Sequence, residues 1–166
     1  MHLAIVSLVI IFTAPLLFDA RLPSNGLNFL ITITALSLAC SGLGILIGVV
    51  SPSTRMTVLY AQVIFLPSML LGGLMMPFSI LPEAAQSVAM LLPASHAMNA
   101  FNGLAMGITA DFNPWASVVM LSASGILAFV LALYLFSWDS KNSKRRGHPA
   151  LALLALVPYA IGILLL

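Results

Sequence analysis

The chain has 166 residues, of which 61% are hydrophobic and 6% charged, and its mean hydropathy is +1.15. So few charges cannot cover a soluble domain of this length, which excludes a water-borne globular protein and makes the chain an integral membrane protein whose solvent is the lipid bilayer. The formal net charge of +2 rests on too few groups to signal nucleic acid, and no nucleic-acid partner is expected; the single cysteine, Cys40, excludes an internal disulfide and a cysteine-based metal cluster and reads as a small packing residue.

A transmembrane helix needs about 20 consecutive apolar residues. Five stretches are candidates: 2–18, 28–50, 56–77, 114–138 and 149–166. The first lacks the basic leader and the small-residue cleavage pattern of a signal peptide and is followed by Asp19, so it reads as a span. The second contains ACSGLGILIG, in which Gly44 and Gly48 stand four apart with Ala39, Ser41 and Gly42 nearby. Small residues on one face let helix backbones approach closely, so this face is expected to pack on another helix. In the third, Pro67 and the pair Gly72 and Gly73 predict a helix that is kinked or flexible near one end, compatible with static packing or with a moving gate. Trp115 and Trp138 bracket the fourth as interfacial aromatics do. The fifth is short and carries Pro158.

Between spans three and four, the stretch 71–107 (LGGLMMPFSILPEAAQSVAMLLPASHAMNAFNGLAMG) is apolar enough for a membrane yet divided by Gly72, Gly73, Gly103, Gly107, Pro77, Pro82 and Pro93. A break in a helix leaves unpaired backbone groups, tolerated at membrane depth only where the break is buried in protein or lines a wet cavity. Pro82 and Glu83 suit a first helical turn, Pro93 interrupts, and a second short helix is expected over 94–106 with Asn99 and Asn102 on adjoining positions. Two pieces too short to span predict a re-entrant hairpin over about 78–110, the alternative being an amphipathic pair lying flat in the interface.

The basic residues Lys141, Lys144, Arg145 and Arg146 follow span four and Arg55 lies between spans two and three, whereas the connection 71–114 has only Glu83 and Asp111. The positive-inside rule then makes 51–55 and 139–148 cytoplasmic, the N-terminus cytoplasmic and the broken segment an outer element. The run KNSKRR reads as a solvated anchor near lipid headgroups.

Catalytic signatures are missing. There is no phosphate-binding loop, no HExxH and no carboxylate pair within one helical turn, so no catalytic residue and no metal site are expected. His96 is the one group in the broken segment that titrates near neutrality; beside Ser95 and Asn99 it reads either as a hydrogen-bonded structural residue or as a titrating or ligand-binding one. Charge in the middle of a span, the mark of ion-coupled transport, is missing too.

The run Gly72/Gly73, Pro77, Pro82, Gln86, Pro93, His96, Gly107 resembles the signature of the type-2 ATP-binding-cassette (ABC) exporter permeases. The connection FDARLPSNG, the small-residue helix ending in IGVVSPSTR and the helix before a basic tail fall in the same order, so the resemblance covers about residues 1–140. Two departures stand out. Asn102 occupies the place of a common arginine, and the chain starts at what resembles the third span of a six-helix subunit, without the cytoplasmic coupling helix that docks on the ATPase.

The expectation is therefore an all-α, polytopic transmembrane bundle of about five spans: residues 1–140 a partial exporter-permease domain, and 141–166 a basic cytoplasmic loop with an extra short span. The resemblance implies an inner (plasma) membrane of bacterial type, no cofactor on this chain, ATP on a separate ATPase subunit, a second permease copy, and a companion fragment supplying the first two spans. It also implies a lipophilic drug, lipid or similar molecule as substrate. The expected pathway or gate residues are Gly72, Gly73, Pro77, Pro82, Glu83, Gln86, Pro93, His96, Asn99, Asn102 and Gly107, with Gly44 and Gly48 for helix packing. A non-transporting membrane scaffold is the alternative.

Overall fold

The computed structural model describes residues 2–19, 21–136 and 149–165. Every regular element among them is helical: α1 (His2–Phe18), α2 (Gly26–Val50), α3 (Thr54–Leu71), α4 (Glu83–Ala89), α5 (Pro93–Ala100), α6 (Pro114–Leu135) and α7 (Val157–Leu165). A 3₁₀ turn (Phe78–Ile80) precedes α4, a π turn (Phe101–Ala105) extends α5, and a 3₁₀ stretch (Pro149–Leu156) leads into α7. At 1.5 Å per residue α2, α3 and α6 are about 37, 27 and 33 Å long, close to or beyond the ~30 Å of hydrocarbon. These three are long and apolar enough to cross a membrane. The expected first span, α1, has 17 residues and is about 25 Å long, about two turns shorter than α2, and the expected fifth is not one α-helix but a 3₁₀ stretch followed by nine α-helical residues.

Local chemistry sets the boundaries. The Asn25 side chain accepts from the Asn28 amide at 3.2 Å and starts α2; Ser53 does the same for Met56 at 3.4 Å and starts α3. Asn113 accepts from the amides of Trp115 and Ala116 at 3.0 and 3.4 Å, and Pro114 fills the first helical position of α6, where a missing N–H costs nothing. The expected third span ended at Pro77, but α3 stops at Leu71. Gly73 adopts φ +83°, a left-handed conformation that glycine enters without penalty and that no α-helix continues through. Pro67 lies inside α3.

The bundle is centred on α2 and α6. Ala35, Ala39, Gly42, Leu43 and Leu46 of α2 recur at helical spacing, as do Ser117, Leu121, Ser124, Gly125, Ala128 and Ala132 of α6, and all are buried. Gly42 and Gly125 mark the closest approach. A β-carbon added at Gly125 would lie 2.7 Å from the Leu38 carbonyl carbon and 2.8 Å from the Ala39 nitrogen. At Gly44 and Gly48 a β-carbon would meet nothing within 4 Å, so among the described residues neither marks a close helix approach. The small-residue helix does pack, along a line through Ala39 and Gly42.

α5 packs among α2, α3 and α6 at the end where α2 and α6 begin and α3 finishes. At the opposite end Ala155 joins Leu43, Leu46, Ala128 and Ala132 in an apolar cluster. The segment Pro149–Leu165 then climbs back along α6. Ser124 Oγ donates to the Ala155 carbonyl at 2.9 Å, and Tyr159 reaches His96 of α5. By contrast α3 buries only Ser68, and Val63, Phe65 and Leu70 are exposed along it. Between α2 and α3 lies an apolar groove of about 320 Å³ bounded by residues including Leu43, Gly44 and Ile64, with Ser68 and Ala94 also in its wall. Trp138 and the basic run 141–146, on which the orientation and the far end of span four rest, lie outside the described residues.

Candidate functional site

In the broken segment, side chains satisfy the backbone groups that the breaks leave open. Pro82 precedes α4, and Glu83 opens it as expected, exposed to solvent. Gln86 donates through Nε2 to the Leu81 carbonyl at 2.8 Å, tying α4 to the turn before it. Pro93 sits in the first turn of α5. The second helix was expected to run evenly over 94–106; instead it changes winding at Phe101, and the π turn closes with the Met106 amide on the Phe101 carbonyl at 3.0 Å. The carbonyls this leaves free are taken by the start of α2: Asn28 Nδ2 donates to Leu104 (3.2 Å), while Ser24 Oγ and the Asn25 amide donate to Ala105 (2.9 and 3.3 Å). Gly107, at φ +64°, turns the chain away beside Ser24. These bonds give the carbonyls at the π turn partners, as a break in a low-dielectric setting requires.

His96 is fully buried, and its Nε2 lies 2.8 Å from the Met90 carbonyl. A carbonyl only accepts, so Nε2 carries the hydrogen and the ring ties α5 to the end of α4. Tyr159 stacks on it at 5.1 Å and Phe112 meets it edge-on at 5.4 Å. Of the two readings of His96, the geometry matches the hydrogen-bonded structural one. Its Nδ1 has no partner, and among the described residues no three His, Cys, Asp or Glu side chains gather as a metal site would require.

Asn99 is the centre of the site. Its Oδ1 accepts from the amides of Asp111 (2.9 Å) and Phe112 (3.2 Å), and its Nδ2 donates to the Phe112 carbonyl (2.8 Å) and to Ser117 Oγ (3.1 Å). The side chain is 4% exposed, so these four bonds fix the loop between the π turn and α6.

That loop, α5 and the turn after α3 enclose a cavity of about 260 Å³. Five of the expected pathway residues meet there: Gly72, Gly73, Pro77, Asn99 and Asn102. A β-carbon at Gly72 would lie 2.6 Å from that of Ala94, so the absence of a side chain lets α3 and α5 close the cavity wall. Pro82, Glu83, Gln86, Pro93, His96 and Gly107 do not line it; they shape the segment around it. The sequence reading passed over Phe112, Thr109 and Ser79, which also line the cavity, and Asn28 and Ser117, which hold its frame. The signal for Asn28 and Ser117 was only that each is a polar residue one turn into an apolar helix.

Helices of membrane-spanning length, an apolar exterior and a broken segment packed around a polar cavity at one bundle end define a polytopic helical membrane protein of the permease type. Residues 1–106 match the family model described as ABC-2 type transporter. The chain belongs to that family, whose membrane subunits typically carry no catalytic site and work with an ABC ATPase. No curated protein and no solved structure matches the chain.

Proposed function

We propose that the chain forms part of the substrate pathway of an ABC exporter, with ATP hydrolysed on a separate ATPase subunit, a second permease copy enclosing the route, and a lipophilic drug, lipid or similar molecule as substrate. The observation that carries this reading is the cavity under the broken segment. It is a polar space at one end of an apolar bundle, framed by Gly72, Gly73 and Pro77 on one side and Asn99 and Asn102 on the other. In this reading the paired segment is a re-entrant hairpin facing the outside, and the N-terminus is cytoplasmic. Exposed apolar residues on α1 and α3, among them Phe12, Leu16, Val63 and Phe65, supply surface for the second copy.

Co-expression with the cognate ATPase tests it: a co-purifying complex and ATP-dependent extrusion of a lipophilic substrate are expected. The open glycine face at Gly44 and Gly48 favours a second reading, a non-transporting scaffold that docks a partner helix there. A chain that never associates with an ATPase but binds a partner lost on Gly44→Leu decides for the scaffold.

A further inference from the structure

The chemistry of the cavity wall selects a charge. Among the described residues Asp111 is the one charged residue lining it, and no lysine, arginine or histidine joins it. Arg21 borders a different cavity, between α1 and α2, and Arg55 stands at the start of α3, at the opposite end of the bundle. Anions are held in such loops by free backbone N–H groups, but here the amides of Asp111 and Phe112 are both spent on Asn99 Oδ1. What the wall offers instead is a carboxylate, the Asn102 amide, and Ser95, whose hydroxyl is buried without a partner in a side chain 4% exposed. Phe78 and Phe112, paired edge-to-face at 5.6 Å, complete it. A carboxylate beside aromatic rings is the donor set that recognises organic ammonium groups, through Coulomb attraction and the negative faces of the rings.

The volume sets the size. About 260 Å³ is below the usual ~300–1,000 Å³ of a pocket for a whole drug-sized ligand, so the cavity suits a head group rather than an entire molecule. We infer that the cavity under the broken segment binds the ammonium head group of an amphiphilic cation. The inference rests on the pathway reading above and names the substrate class for it.

The test uses the full 166-residue chain in lipid nanodiscs without any ATPase, and equilibrium dialysis with radiolabelled tetraethylammonium; glucose and inorganic phosphate serve as neutral and anionic probes. Saturable binding of the ammonium alone is expected, weakened about tenfold or more by Asp111→Asn, as loss of a charge-assisted contact gives, and unchanged by Arg21→Gln. Should Asp111→Asn fail to fold, Thr109→Lys, at an exposed position in the wall, carries the test by placing a cation there and is expected to abolish binding. No saturable ammonium binding, equal affinity in folded Asp111→Asn or Thr109→Lys, or glucose or phosphate binding as tightly would overturn the inference. The two readings fail separately: extrusion of an uncharged substrate by the ATPase complex, with no ammonium bound, sinks the head-group assignment alone. Ammonium binding by a chain that recruits no ATPase sinks the exporter reading alone.

Discussion

Replacing Asn99 by leucine removes four hydrogen bonds while keeping the number of side-chain heavy atoms. It leaves the amides of Asp111 and Phe112, the Phe112 carbonyl and Ser117 Oγ without their partner. At a net ~1 kcal/mol per bond the four sum to about 4 kcal/mol. Asp111 is exposed, so water recovers part of the loss at that end, and about 3 kcal/mol is expected. Because each 1.4 kcal/mol is tenfold, the opening constant of the loop should rise by about a hundredfold or more. Amide hydrogen exchange read by mass spectrometry in nanodiscs reports it directly, with peptides covering 108–113 losing protection while those from the middle of α6 keep theirs. Asn99→Asp sharpens the test: it retains acceptors for the two amides but loses both donors, so amide protection should survive better than in Asn99→Leu while overall stability falls. Protection of 108–113 unchanged to within about threefold in Asn99→Leu would show that the loop is held by something other than this side chain.

Gly125→Ala should destabilise the chain by about 1–3 kcal/mol in denaturant titrations in detergent, because the new methyl meets the α2 backbone at Leu38 and Ala39. Gly44→Ala, in open space, should be neutral or gain up to ~1 kcal/mol of helix propensity. Gly73→Leu places a side chain at φ +83°, at a cost of about 1–2 kcal/mol, and should lower ATP-dependent transport more than membrane abundance; Val130→Trp, on an exposed face of α6, is the control, and normal transport by Gly73→Leu would remove the gate. In a Cys40→Ser background, cysteines at Asp111 and Arg55 should react with an impermeant thiol reagent from opposite sides, Asp111 from outside; labelling of Arg55→Cys from outside reverses the orientation.

The spans were readable because hydrocarbon imposes one strong rule, length and apolarity, on any segment that crosses it. The same rule hides side-chain direction. In water, the buried face of α2 would be the apolar one; in lipid, apolar residues surround the whole helix. Only the small residues remained as a guide, and among Ala39, Gly42, Gly44 and Gly48 they did not single out the line through Ala39 and Gly42. The punctuation of 71–107 foretold that the segment is broken and where its helices start, as Pro82 and Pro93 do. It did not foretell which residues would meet, because the bonds of Asn99 reach twelve to eighteen positions along the chain and those of Asn28 and Ser24 reach 76 and 81. Single-residue polarity marks a group that needs a partner, and distance along the chain says nothing about which one answers.

The isolation of α3 has a thermodynamic consequence. In water, peeling an apolar helix from its neighbour is opposed by every square ångström exposed, whereas acyl chains wet Val63 and Phe65 about as well as another helix does. Among the described residues no hydrogen bond joins α3 to another helix, and its one buried side chain, Ser68, has an unpaired hydroxyl. Its anchorage is therefore a small difference between protein dispersion and lipid dispersion, concentrated at the Gly72–Ala94 contact. α3 is thus held to the bundle without a hydrogen bond among the described residues and with little buried side-chain surface. A tilt of α3 about that contact would change the width of the groove beside Leu43 and Ile64 without disturbing the α2–α6 pair.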